Sequence, residues 1–143
     1  MRIIRLFSEQ PLSQGSEVNL TAGAADYLTR VLRLREGDAI TLFNGTGQDY
    51  HGSVVSFSKS VVTVRLDAAE AATTEPPVFT ELGLCMSKGD RFNWAIQKAT
   101  ELGVGSIAPL YSERVNYKIP PDRITKRIAH WKGIVRSACE QCG

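Results

Sequence analysis

The sequence predicts an α+β chain in two parts, a small β-barrel followed by an open α/β unit. Three observations carry that expectation. The first half reads as short segments rich in β-branched residues, separated by tight turns. Residues 67–77, "DAAEAATTEPP", hold few large apolar side chains and end in two prolines. Beyond them the pattern changes to strand, helix, strand, helix. These place the barrel at 1–70, a linker at 71–77 and the α/β unit at 78–143.

In the first part, residues 2–7 alternate basic and apolar side chains as a strand does, and residues 17–20 form a second candidate. Thr21 stands as the N-cap of a helix over 22–33 with Ala24, Leu28, Val31 and Leu32 as its apolar stripe. Gly37 and Asp38 turn the chain into a strand over 39–43. The run Asn44-Gly45-Thr46-Gly47 signals a hairpin. Residues 50–57 and 61–66 supply two further strands.

In the second part, residues 79–86 read as a buried strand and 91–102 as a helix. Phe92, Ala95, Ile96, Ala99 and Leu102 make its apolar face, Asp90 its cap and Gly103 its stop. A strand follows over 106–111. Pro120, Pro121 and Asp122 then set up a helix from about Arg123. Its stripe is Ile124, Ile128, Trp131, Val135, Ala138, Cys139 and Cys142.

Cys139 and Cys142 raise the possibility of a metal or redox pair. Their place on the apolar stripe, deep in a helix rather than at its N-terminus, favours packing instead. A structural zinc site needs four ligands, and Cys85, His51 and His130 offer no second pair. No metal is therefore expected. Three cysteines, an odd number, suit a reducing compartment. No apolar run approaches the roughly 20 residues that span a bilayer. Residues 1–7 lack the apolar core of a signal peptide, so the sequence points to the cytoplasm.

The net charge of +2 conceals an asymmetry. Residues 1–72 carry seven Lys/Arg against eight Asp/Glu, and residues 73–143 carry ten against seven. Within 118–136 there are six basic residues and one acid, Asp122. Such a stripe is either a contact for a polyanion or a solvated helix face. There is no phosphate-binding glycine loop, no G-x-S-x-G and no H-E-x-x-H. The richest stretch, "KGDRFNWAIQKATELGV" from Lys88 to Val104, begins where a strand gives way to a helix, a common position for ligand sites in α/β sheets. Lys98 and Glu101 are spaced to pair with each other, which would make them structural.

The run "KGDRFNWAIQKATELGVGSIAPLYSERV", followed by a basic helix leading to "ACEQCG", resembles the family of 16S ribosomal RNA uracil-N3 methyltransferases. Upstream, "YLTRVLRLREGDAITLFNGTGQDYHGSV" is similar to that family's N-terminal domain in order and spacing. The resemblance implies a PUA-like barrel and the N-terminal part of a SPOUT-class methyltransferase domain. It also implies S-adenosylmethionine as cofactor, 16S rRNA of the small ribosomal subunit as partner, and a homodimer. Asp26 and Tyr27 stand where the family usually has a histidine pair. Family members also continue well past this length, through a knot whose loops bind the cofactor. The resemblance therefore implies that the knot and the cofactor site lie outside these residues, and that this chain alone is inactive.

Uridine N3 lies on the Watson–Crick edge, so the base must be unpaired or flipped before a methyl group reaches it. The nitrogen must also lose its proton, which calls for a base or for cations that stabilise the anion. Glu101, Glu113, Arg114 and Glu140 are the candidates for that chemistry. Candidate RNA contacts are Arg2, Arg5, Arg30, Arg33 and Arg35 in the first part, and Lys88, Arg91, Lys126 and Arg127 in the second. Arg30 and Arg33 are spaced to share a helix face, and the arginine of the "VLR" run could instead buttress the barrel through a carboxylate. The alternative to an enzyme domain is an RNA-binding module without catalysis, which would have little need of the second part.

Overall fold

The computed structural model describes residues 4–74, 76–114 and 117–143. The chain divides into two compact units, residues 1–73 and 74–143. In the first, a five-stranded sheet has the order β1-β3-β4-β5-β2, built from Arg5–Phe7, Glu17–Thr21, Ala39–Phe43, Gln48–Ser58 and Val61–Ala71 as β1 to β5. β1 runs parallel to β3, and the other neighbours are antiparallel. Strand alternation explains the register. In β2 Val18 and Leu20 turn inward while Glu17, Asn19 and Thr21 face out, and Val62, Val64 and Leu66 do the same for β5.

The long β4–β5 hairpin slips register between His51 and Gly52 and again between Val54 and Ser56. Such bulges bend and twist a sheet, so this one curls around Leu28, Leu42, Val62, Val64 and Leu66, all fully buried. Gly52 is required at the first irregularity, because a Cβ there would overlap the carbonyl group of Arg65. The result is a half-barrel whose edge strands, β1 and β2, are not paired with each other among the described residues.

Two sequence expectations are corrected in this unit. The strand expected over 61–66 is longer: β5 continues to Ala71, with Glu70 opposite Asp49 and Ala71 opposite Gln48. Low side-chain bulk misled the reading, since the outer end of a hairpin needs little core. The predicted helix over 22–33 is also shorter. An α-helix, α1, spans Ala22–Asp26 and widens into a π-helical turn over Tyr27–Val31. The amide of Leu32 reaches back to the carbonyl of Tyr27. The Thr29 hydroxyl donates to the carbonyls of Ala25 and Asp26 at the junction. The wider turn keeps Leu28 inside but leaves Val31 65% exposed. Thr21 has the extended backbone of a capping residue and ends the β2 ladder opposite Val61, but it makes no side-chain cap.

In the second unit, β6 (Glu81–Cys85) and β7 (Ser106–Leu110) pair in parallel, joined by α2 (Arg91–Glu101). A long α3 (Pro121–Cys142) follows, with proline at its start and Asp122 in its first turn. Its core is Met86, Phe92, Ile96, Ile119 and Trp131. The predicted strand over 79–86 starts late: Phe79 is largely exposed and lies against Gly105, where a Cβ would strike its ring. Leu102 is 83% exposed, because the helix ends before it. Asp90 makes no side-chain cap, since its own backbone is already helical, whereas a capping residue needs an extended one. Among the described residues no helix is long and apolar enough to cross a membrane.

Candidate functional site

The residues singled out for chemistry fall on three surfaces. In the first unit the arginines differ sharply. Arg5 grips Asp49 with two hydrogen bonds, Nη2 to Oδ1 at 2.8 Å and Nε to Oδ2 at 3.1 Å. Its guanidinium also lies 3.8 Å from the centroid of the Phe43 ring, and its side chain is 12% exposed. The arginine that buttresses the half-barrel is therefore Arg5, not Arg33. Arg30 forms an exposed 3.4 Å pair with Asp26, one of the two residues that replace the expected histidines. Such pairs are weak, so Arg30 is readily released.

Arg33 follows the π turn with φ of 56°, the left-handed conformation that most residues avoid. It does not share a helix face with Arg30, because the helix has ended. Its side chain is exposed and no described residue pairs with it. Arg35 is exposed, and its backbone N–H donates to Asp38 at 2.7 Å, closing the turn into β3. Arg2 lies outside the described residues.

The second surface is set by topology. β6 and β7 are parallel, so their carboxyl ends share one edge, where the amide of Met86 bonds the carbonyl of Leu110. Lys88 and Arg91 follow β6, and Glu113 and Arg114 follow β7, all exposed at that edge. This is where ligands bind in open α/β sheets. Glu101 lies at the opposite end, because α2 returns the chain to the amino edge. Both its carboxylate oxygens are held, by Lys98 at 2.7 Å and Gln97 at 3.1 Å. Glu140 is half-buried in the last turns of α3. Glu101, the turn at 103–105, Cys139 and Cys142 line one cavity of about 690 Å³, so these ends of α2 and α3 are neighbours. The four candidates for proton chemistry thus separate, with Glu113 and Arg114 at one edge and Glu101 and Glu140 at the other.

The third surface is α3. Lys126 is exposed and Arg127 half-buried, its guanidinium 5.6 Å from the centroid of the Trp131 ring. Trp131 itself packs on Phe92 and is 7% exposed, whereas Ile124 and Ile128 on the same stripe are 37% and 41% exposed. Cys139 is half-buried and Cys142 exposed, so only the first fits a packing role. Among the described residues no group of three His, Cys, Asp or Glu is placed to hold a metal. Sequence reasoning missed Asp49 as the partner of Arg5 and Asn93 as the partner of Trp131. Separations of 44 and 38 residues leave no local signal for either.

Residues 1–73 thus form a curled half-barrel, and residues 74–143 a parallel β-α-β unit followed by a basic helix. Comparison with known proteins places this pair of units in a family. A family model of the RNA methyltransferase PUA domain matches residues 20–67, and one of the RNA methyltransferase domain matches 74–143. The chain belongs to the RNA methyltransferase family that these two models describe. It is 30% identical over 141 residues to the ribosomal RNA small subunit methyltransferase E of Buchnera aphidicola from Schizaphis graminum, covering 99% of this chain and 57% of that protein. A methyltransferase of Legionella pneumophila solved with bound S-adenosylmethionine superposes with a TM-score of 0.92 at 34% identity, covering 100% of this chain and 59% of that one. Ribosomal RNA small subunit methyltransferase E of Neisseria gonorrhoeae, also bound to S-adenosylmethionine, gives 0.90 at 34%, covering 99% and 57%. The chain spans a little over half the length of these relatives.

Proposed function

We propose that this chain is the RNA-binding unit and the first part of the catalytic unit of an S-adenosylmethionine-dependent methyltransferase. Its substrate in this reading is N3 of a uridine in 16S rRNA of the small ribosomal subunit, and it works in the cytoplasm as a homodimer. The observation that carries the reading is the order of the two matched domains along one chain, each in its own compact unit.

Arg33, with Arg30 and Arg35 nearby in sequence, is assigned to phosphates of the RNA in the first unit. Lys88, Arg91 and Arg114 at the carboxyl edge of the second unit are assigned to RNA there, with Glu113 the carboxylate available beside them. Cations at that edge would favour the uridine anion that forms as N3 loses its proton. Glu101, whose oxygens are already held, is assigned to structure.

S-adenosylmethionine would supply an activated methyl group. Its sulfonium and ammonium centres are cationic, and no described cavity of residues 74–143 offers them an unengaged carboxylate. The apolar cavity lined by Phe92, Ile107, Ile128 and Trp131 carries Lys132 and Arg136, and another is lined by Arg123, Lys126 and Arg127. The carboxylate of a third, Glu101, is engaged by Lys98. We therefore assign the cofactor to the part of the relatives' length that this chain does not span, and derive no step through it.

The test is transfer of labelled methyl from S-adenosylmethionine to unmodified small-subunit RNA by the protein encoded at this locus. One methyl group per RNA, at a uridine N3, is expected. RNA binding without any transfer would favour the non-catalytic module.

A further inference from the structure

A cavity of about 650 Å³ lies between the segment 117–120 and the first half of α3. Its helical wall is Arg123, Lys126, Arg127 and His130, at positions i, i+3, i+4 and i+7 of one helix face. Tyr117, Ile119 and Pro120 form the other wall. Among the described residues no ion pair engages Arg123, Lys126 or Arg127, so the wall is positive and uncompensated.

The Nε of Arg127 is buried and has no hydrogen-bond partner among the described residues. Buried donors are almost always satisfied, and one on a charged group that is not calls for an account, such as a water or an ion held by the same guanidinium. The guanidinium is held beside the Trp131 ring, which is itself fixed by a hydrogen bond to Asn93, so the fork is oriented before any ligand arrives. A merely solvated helix face would leave that nitrogen in water.

We propose that this cavity is a subsite for one backbone phosphate of single-stranded RNA. Arg127 binds its oxygens with the planar fork, Arg123 and Lys126 neutralise the remaining charge, and Tyr117 and Ile119 offer an apolar wall to the attached nucleoside. The Tyr111 hydroxyl accepts a hydrogen bond from the amide of Ile119 at 3.2 Å, which ties the cavity wall to the segment leading to Glu113 and Arg114. RNA seated here would therefore continue onto the carboxyl edge. This inference rests on the RNA-binding reading above and names a specific contact within it.

The experiment uses Trp131 as reporter. Trp94, the other tryptophan, is 64% exposed on α2 and is replaced by Phe, leaving Trp131 alone. Titration of this protein with a single-stranded small-subunit rRNA fragment is expected to change Trp131 fluorescence along the same isotherm as labelled-RNA anisotropy. Arg127→Met should weaken RNA binding at least tenfold. Should Arg127→Met fail to fold, the surface variant Arg123→Gln with Lys126→Gln should still weaken binding and reduce the logarithmic salt slope by about one unit per lost contact. RNA binding by anisotropy with no Trp131 response, and with the double variant unaffected, would overturn the subsite and leave RNA binding standing. No RNA binding at all would overturn both readings. Saturation of the Trp131 response by inorganic phosphate or uridine 5′-monophosphate, undisplaced by RNA, would overturn the RNA assignment and mark a site for a free anion.

Discussion

The indole N–H of Trp131 donates to Oδ1 of Asn93 across 3.2 Å, joining α3 to the first turn of α2. The same ring packs on Phe92 at a centroid separation of 4.6 Å. One aromatic side chain thus fixes the two helices of the second unit by packing and by a directional bond. Asn93→Ala would strand the indole donor in a site 7% exposed. We expect a loss of about 1–3 kcal/mol in unfolding free energy, measured by urea denaturation. Trp131→Phe should cost at least as much, because it removes both the bond and apolar area.

Arg5 and Asp49 predict a separation of stability from binding. Asp49→Asn removes a doubly bonded carboxylate whose side chain is 21% exposed. The expected cost is about 2 kcal/mol, below the ~3–5 kcal/mol of a fully buried pair. The same change should leave the salt slope of RNA binding untouched, as read from titrations at several ionic strengths.

Arg33 should behave in the opposite way. Its φ of 56° costs an L-residue about 1 kcal/mol, and glycine removes that strain. Arg33→Gly is expected to raise stability while lowering RNA affinity and reducing the logarithmic salt slope by about one unit. A variant both less stable and unchanged in binding would remove Arg33 from the RNA surface.

Gly52 sits where the β4–β5 register slips, with the Arg65 carbonyl in the place a Cβ would take. Gly52→Ala must move backbone, so a loss of more than about 2 kcal/mol is expected. Gly37→Ala is the control, since its added Cβ meets nothing within 4 Å and strains only the turn at φ +87°.

The division near residue 73 predicts where a protease enters. β5 is paired through Ala71, so first cleavage should fall within residues 72–78 rather than at 67–71. Mass spectrometry of the first fragments distinguishes the two.

Strand existence was legible because alternation and turn chemistry are local: Val18 and Leu20, or Asn44-Gly45-Thr46-Gly47, announce themselves within a few residues. The π turn at Tyr27–Val31 was not, since the apolar spacing around Leu28 is compatible with either helix. The end of β5 was hidden by its composition, as Ala68, Ala69 and Ala71 carry no bulk to reveal pairing. Basic residues were legible as types, but which ones are already committed was not. Arg5 and Arg33 look alike in sequence, yet one is locked to Asp49 and stacked on Phe43 while the other stands open. The division of Glu101 from Glu113 likewise follows from the parallel pairing of β6 and β7, which no local pattern encodes.

The central claim, methylation of a 16S rRNA uridine at N3, is tested most directly by primer extension on rRNA. RNA is taken from cells that carry the gene and from cells in which it is deleted. A methyl group on N3 blocks the Watson–Crick edge and halts reverse transcriptase one nucleotide before the modified base. The account predicts a strong stop at one uridine of 16S rRNA that disappears on deletion and returns with the gene. Identical extension patterns from both sources would contradict it.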